Sequence, residues 1–345
     1  MKHTIKDIAL LAGVSKGTVD RVLHNRGKVS QKAFDKVDKV LKEIDFVPNP
    51  IARNLRNNKV YRICVLVPDA KFDSYWLPTY EGLDEATKEF LPFGIVVSKY
   101  YYHPYDSATY TNKSKEAIDS KPDALLMAPL FHKESLLISQ ECKKKNIYVV
   151  LFNNLIDSLN TDNFIGQDLY QTGRVAASLV DKVVSNDANI AIIHINEEPH
   201  MRQKEIGFKD YFKENSSNNH RIVAYSLDAG NNNNFTKEVS LFFESYPKIS
   251  GIFITNSMGY KLAKILNDTN QKICIVGYDL LEENIRYMKK GVIDFLIHQK
   301  PKRQAYLAVY LLAEHFLFGK EVPAKEILPI DIITTENLKY YRSVD

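Results

Sequence analysis

At 345 residues, with a formal net charge of +4 and 45% hydrophobic residues, the chain exceeds one small domain and is rich enough in apolar side chains to bury a large core. The charge is uneven: residues 1–60 carry thirteen Lys or Arg against six Asp or Glu, a net +7, which leaves −3 on the rest. A basic head on a mildly acidic body excludes a protein that coats nucleic acid along its whole length and directs one end toward DNA. Three scattered cysteines, Cys64, Cys142 and Cys274, form no CxxC pair or disulfide framework, and no apolar run reaches the length of a membrane span. Residues 1–6 are polar and lead directly into a helix, without a signal-peptide pattern, so the expected location is the cytoplasm.

The first stretch, TIKDIALLAGVSKGTVDRVLHNRG, predicts two short helices joined by a tight turn. Thr4 and Asp7 stand at capping-box spacing, and Ile5, Ile8, Ala9 and Ala12 form an inner stripe. Gly13 suits a left-handed helix stop, and Ser15 suits the cap of the second helix. In that helix Val19, Val22 and Leu23 face inward, while Lys16, Gly17, Asp20 and Arg21 share the outer face. A short helix held by another, with a polar and partly basic outer face, describes a helix-turn-helix reading head; an ordinary helical hairpin with a solvated face is the alternative. Ser30 opens a third predicted helix running to about Ile44, with Phe34, Val37, Leu41 and Ile44 inward. Pro48 and Pro50 then delimit a short segment, 51–56, that sets Arg53 and Arg56 three residues apart.

The motifs TIKDIALLAGVSKGTV, RVLHNRGKVS and FVPNPIARNLR, in this order at the N-terminus, resemble the lactose-repressor family of bacterial transcription regulators. The resemblance implies DNA contacts from Thr4, Ser15, Lys16, Gly17, Thr18, Asp20, Arg21 and Asn25, and from Asn49, Ala52, Arg53, Leu55 and Arg56. Lys16 and Gly17 occupy the positions that choose the operator, and Leu55 matches a leucine that paired hinge helices wedge into the minor groove. Two features depart from the family pattern. Gly17 offers no side chain, and Asp20 replaces the usual serine, so that its carboxylate either accepts from a cytosine amino group or pairs with Arg21 or Lys16.

From Tyr61 onward apolar strand-like runs alternate with helical segments, at 62–68, 94–101, 124–130, 147–153, 164–166, 189–195, 221–227, 251–256, 272–279, 294–299 and 326–334. Strands apolar throughout and separated by helices predict parallel sheets covered on both faces. Two sheets, dividing near 154–162, accommodate so many strands better than one. The expected fold is a small all-α helix-turn-helix head followed by an α/β periplasmic-binding-protein-like core of two lobes with parallel sheets. Its expected parts are 1–47 (head), 48–60 (hinge helix and linker) and 61–345 (effector-binding and dimerisation body). The family wiring implies three crossings, with lobe one at 61–158 and 294–320 and lobe two at 159–293 and 321–345.

In such lobes ligands lie beyond the carboxyl ends of the strands. Asp73, Tyr75 and Trp76 follow the first strand; the two rings either stack on a sugar or base or pack between helices. Asn153 and Asn154 follow the fourth, where sugar-binding relatives carry Asp-Arg. Asp168, Asn256, Asp279 and Gln299 stand at strand ends in lobe two, as effector ligands or as turn and cap residues. Relatives place an arginine three residues before the glycine of HMRQKEIGF; here that position is Lys204, which lacks the bidentate fork, and Arg202 is the candidate to reach in instead. No GxSxG, Walker or GxGxxG motif is present, and His194, Glu197, Glu198 and His200 lack metal-ligand spacing and read as a solvated loop. The expectation is therefore a non-enzyme without cofactor or metal: a homodimeric, sequence-specific DNA-binding regulator of a near-palindromic operator. Its operator affinity is expected to respond to a small ligand, for choice a carbohydrate. The alternatives are a transporter-type solute-binding protein, or a regulator responding to a nucleoside or other non-sugar.

Overall fold

The computed structural model describes residues 3–24, 27–44, 46, 59–156, 163–215, 220–269 and 271–341. The chain divides into two compact units, Met1–Lys59 and Val60–Asp345. In the first, helices α1 (Ile5–Ala12), α2 (Lys16–His24) and α3 (Gln31–Glu43) close over Ile8, Ala9, Ala12, Val19, Val37 and Val40. Thr4 and Asp7 form the capping box, the Thr4 N–H donating to the Asp7 carboxylate at 2.8 Å. Gly13 ends α1 at φ 62°, a left-handed conformation that glycine adopts without steric cost. Ser15 caps α2 by accepting from the Thr18 N–H at 3.1 Å. Two expectations for α3 differ from the structure. Ser30 occupies the cap position but makes no side-chain cap bond, and Phe34 is 39% exposed, because the small head closes its core on Val37 and Val40 instead. The predicted hinge segment lies outside the described residues.

The second unit contains two six-stranded sheets among the described residues. The first is built from β1 (Tyr61–Pro68), β2 (Ile95–Tyr102), β3 (Ala124–Met127), β4 (Tyr148–Phe152), β5 (Phe164–Gly166) and β11 (Lys325–Ile327), in the order β11-β5-β4-β3-β1-β2. All its pairings are parallel. The second is built from β6 (Asn189–Ile195), β7 (Arg221–Leu227), β8 (Ile249–Ile254), β9 (Cys274–Tyr278), β10 (Phe295–His298) and β12 (Asp331–Ile333), in the order β12-β10-β9-β8-β6-β7. It is parallel except where β12 runs antiparallel to β10. Apolar clusters cover both faces of each sheet, which is why the strands read as unbroken hydrophobic runs rather than alternating ones. The cysteines are buried free thiols. No helix among the described residues is long and apolar enough to cross a membrane.

The chain passes between the lobes three times, but not at the expected places. Strand β5 lies beyond the polar loop at 154–162 and still pairs with β4, so the first crossing follows Gly166 rather than residue 158. Strand β10 pairs with β9, so the second follows His298 rather than 293. The run 326–334 splits into β11, in sheet one, and β12, in sheet two. The break falls at Pro329, whose missing N–H cannot continue a ladder. Gln167, buried on the first crossing, donates its amide to the His298 carbonyl on the second (3.1 Å) and to the Pro329 carbonyl on the third (2.9 Å).

Helices α4 (Leu77–Phe90), α5 (Ser107–Asp119) and α6 (His132–Lys144) follow β1, β2 and β3, and α7 (Leu169–Val183) and α8 (Met201–Asn215) follow β5 and β6; α7 and α8 cross backbone to backbone. A Cβ added at Gly173 would lie 2.0 Å from the Lys204 carbonyl oxygen, and one at Gly207 would lie 1.9 Å from that of Tyr170. This contact fixes the rotation of α8 and so determines which of its side chains face inward. Gly207→Ala must force the helices apart, an overpacking cost of about 1–3 kcal/mol; urea denaturation of the variant should show a lower midpoint, and an unchanged midpoint would refute the close-packing account.

Candidate functional site

The outer face of α2 presents Lys16, Gly17 and Arg21 to solvent, with Thr18 and Asp20 half-buried beside them. Of the other predicted DNA contacts, Thr4 and Ser15 are occupied in the caps of α1 and α2, and the Ser15 and Thr18 hydroxyls lie 2.9 Å apart. Asn25, Asn49, Ala52, Arg53, Leu55 and Arg56 fall outside the described residues.

In the body, a cleft opens where the carboxyl ends of both sheets meet. Lobe one contributes Asp73, Tyr75 and Trp76 from the turn after β1, and Asn153 and Asn154 after β4. Lobe two contributes Glu198 and His200 after β6, Lys204 from α8, Asn256 after β8 and Gln299 after β10. Trp76 and Tyr75 meet edge to face at 5.0 Å, and Trp76 meets Phe152 the same way at 6.4 Å. Asp73 holds the turn by accepting from the Tyr75 N–H at 3.1 Å. Asn153, left-handed at φ 70°, donates to the Tyr75 hydroxyl. Asn154 is 4% exposed.

Several expected ligands stand elsewhere or have other partners. Asp168 is exposed and caps α7, accepting from the Gln171 N–H at 2.9 Å. Arg202 is exposed on α8 and is not among the cleft residues. Helical phase is the reason: Met201, Lys204 and Phe208 share the buried stripe, and residue 202 is turned about 100° away from residue 201. Asn256 reaches the cleft, but its amide donates to the Ile195 carbonyl (2.7 Å) and its oxygen accepts from the Met258 N–H (3.2 Å), so it also braces the turn. Asp279 stands one layer behind. Its two oxygens accept from the Gln299 backbone N–H (2.9 Å) and side-chain amide (2.6 Å), which orients Gln299 at the cleft. Asn284, which sequence reasoning passed over, donates to the carbonyls of Ser257, Tyr278 and Asp279 and stabilises the left-handed Asp279, at φ 64°.

Of the residues read as a solvated loop, Glu197 is exposed, whereas Glu198 and His200 belong to the cleft and His194 stands on β6. His194 is buried between the Thr255 hydroxyl (2.9 Å) and the Glu205 carboxylate (3.0 Å), and Glu198 and His200 line the opening. Lys204 is 0% exposed; its ammonium donates to the Thr255 carbonyl at 2.9 Å and lies 3.7 Å from the centre of the Tyr278 ring, a cation–π distance. Burial pulls the Lys204 ammonium down to about 8, against the opposing pull of Asp279 and Glu198. Burial, and the nearby Asp73 carboxylate, push Glu198 up to about 7. Burial, with Lys204 and His194, pushes His200 down to about 3, so its ring is neutral.

A helix-turn-helix head joined to a two-lobed α/β body with a polar cleft between the lobes defines a class of regulator that pairs DNA reading with small-ligand sensing. Residues 4–49 match the model of bacterial regulatory proteins of the lacI family, and residues 63–321 match a periplasmic binding protein domain. The chain belongs to the lactose-repressor family of transcription regulators, with a periplasmic binding protein domain as its body. It is 46% identical over 66 residues to the transcriptional repressor CytR of Escherichia coli strain K12, a match spanning 19% of each chain. It is 25% identical to the sucrose operon repressor of Streptococcus mutans over 98% of this chain and all of that one. A crystal structure assigned to a LacI transcriptional regulator from Bacteroides fragilis superposes with TM-score 0.75 at 27% identity, over 82% of this chain and 100% of that one.

The raised Glu198 carboxyl carries a stability signature. Its folded-state proton is held more tightly than the unfolded one, so the unliganded protein loses stability as pH rises from the ordinary carboxyl range through about 7. Glu198→Gln removes that loss. The variant should melt with the parent near pH 4.5 and above it at pH 8 in differential scanning calorimetry; an offset independent of pH would refute the raised-carboxyl assignment.

Proposed function

We propose that the chain is a cytoplasmic, homodimeric transcription regulator that binds a near-palindromic operator through two heads and responds to a carbohydrate held between its lobes. The observation that carries the ligand half is the cleft itself: a largely buried aromatic wall at Trp76 beside the amides of Asn153, Asn154 and Gln299, contributed by segments that follow strands of two lobes. Aromatic faces suit the C–H side of a sugar ring and amides suit its hydroxyls. A ligand that contacts both lobes favours their closed arrangement, and its differential affinity for that arrangement is what shifts the head-bearing population. The sucrose operon repressor, similar along its whole length, supports the sugar reading. A transporter-type binding protein leaves the head without a role. Dimerisation supplies the second reading helix, since one short helix contacts too few bases for a specific site.

Thermal-shift screening against a sugar and nucleoside library tests the ligand class: stabilisation by nucleosides alone would refute it. For the head, Leu55→Ala should weaken binding of a selected operator in fluorescence anisotropy while leaving ligand affinity unchanged; unaltered operator affinity would sink the hinge-wedge role. Analytical ultracentrifugation of the full chain at micromolar concentration should give a dimer, and a monomer would contradict this reading.

A further inference from the structure

We propose that the cleft ligand is an amine-bearing sugar whose ammonium group sits between Asp73 of the first lobe and Glu198 of the second, an inference that rests on the sugar reading above. Two carboxylates from opposite lobes face one cleft, and each is pushed toward its protonated form, first by burial and then by a neighbouring carboxylate: Asp279 for Asp73, and Asp73 for Glu198. Among the described residues no Lys or Arg forms an ion pair with either; the one ion-pair partner of Glu198 is His200, at 3.4 Å, whose ring is neutral. The cleft's own cation, Lys204, is held against Tyr278 and the Thr255 carbonyl. A neutral ligand leaves Glu198 holding its proton or, once ionised, repelling Asp73, and an anionic one adds to the repulsion. An ammonium placed between them turns that repulsion into a clamp that both lobes share.

Two further observations point to a ligand of this kind. Asn154, 4% exposed at the cleft wall, has a side-chain amide that bonds no protein group among the described residues, which leaves it for a hydroxyl. Outside Glu198 the cleft continues into an open groove flanked by Tyr105 and Tyr225, with Glu197, Asp228 and Glu238 on its walls. An acidic mouth of this kind concentrates cations and repels anions.

The test uses matched trios: glucose, galactose and mannose, their 2-amino-2-deoxy forms and the N-acetylated amines, titrated calorimetrically into the full chain at pH 6, where the amines are charged. The amine of at least one trio should bind about tenfold to a hundredfold more tightly than its neutral and N-acetylated twins. Its binding should release about one proton per site as Glu198 ionises, read from the dependence of the heat on buffer ionisation enthalpy. In Asp73→Asn and Glu198→Gln, each checked for folding by circular dichroism, the ratio of amine to neutral affinity should fall toward one, and the proton release should vanish in Glu198→Gln. Neutral sugars that bind as tightly as their amines overturn the amine assignment and leave the sugar reading standing. A preference that survives both substitutions overturns the assignment to Asp73 and Glu198. No binding by any member overturns both.

Discussion

One side-chain amide, that of Gln167, joins the three strands of chain that connect the lobes. It leaves the first crossing and donates to a carbonyl on each of the other two. Backbone carbonyls need partners, and here one buried side chain on the first crossing supplies them to the other two, which ties the three together. The lobes therefore have one common pivot, and their relative angle is the coordinate open to a ligand. Asn153, Asn154, Glu198, Asn256 and Gln299 all follow the carboxyl ends of their strands. Asp73 and Glu198 stand on opposite lobes, so their separation depends on that angle.

The electrostatics follow from a second constraint, the backbone contact of α7 with α8. Because Gly173 and Gly207 let the two helices touch, α8 is rotated to bury Lys204 under the cleft. An isolated buried ammonium is costly. Here the Tyr278 ring, the Thr255 carbonyl and the nearby carboxylates offset that cost, and the lysine is still pulled down to about 8. The same charge lies close enough to Glu198 to oppose the effect of burial on that carboxyl. Packing of two helices thus sets the charge balance of a site several residues away.

Much of this was legible in the amino-acid order. Unbroken apolar runs marked the parallel strands, and the rule that ligands sit beyond carboxyl ends picked out Trp76, Asn153, Asn154 and Gln299 as cleft residues. What failed was non-local. A three-residue strand such as β5 or β11 carries no mark of its partner, so the lobe boundaries were misplaced. Asp279 was read as facing the ligand, whereas its pairing with Gln299 depends on β9 and β10 lying side by side. Arg202 was preferred to Lys204 on chemistry, but the stripe Met201, Lys204, Phe208 and Phe212 already had helical period and pointed to the lysine. Glu198 and His200 lacked any motif; only the meeting of two lobes gives them a role.

The central claim is that ligand occupancy of the cleft and operator binding by the head are linked through the lobe angle. Fluorescence anisotropy of labelled operator, titrated with the full chain with and without saturating cleft ligand, tests it most directly. Linkage predicts an operator affinity altered by a factor on the order of 5 to 150, with the ligand's own affinity altered by the same factor when operator is bound. Operator affinity that is identical with and without the bound ligand would contradict the account.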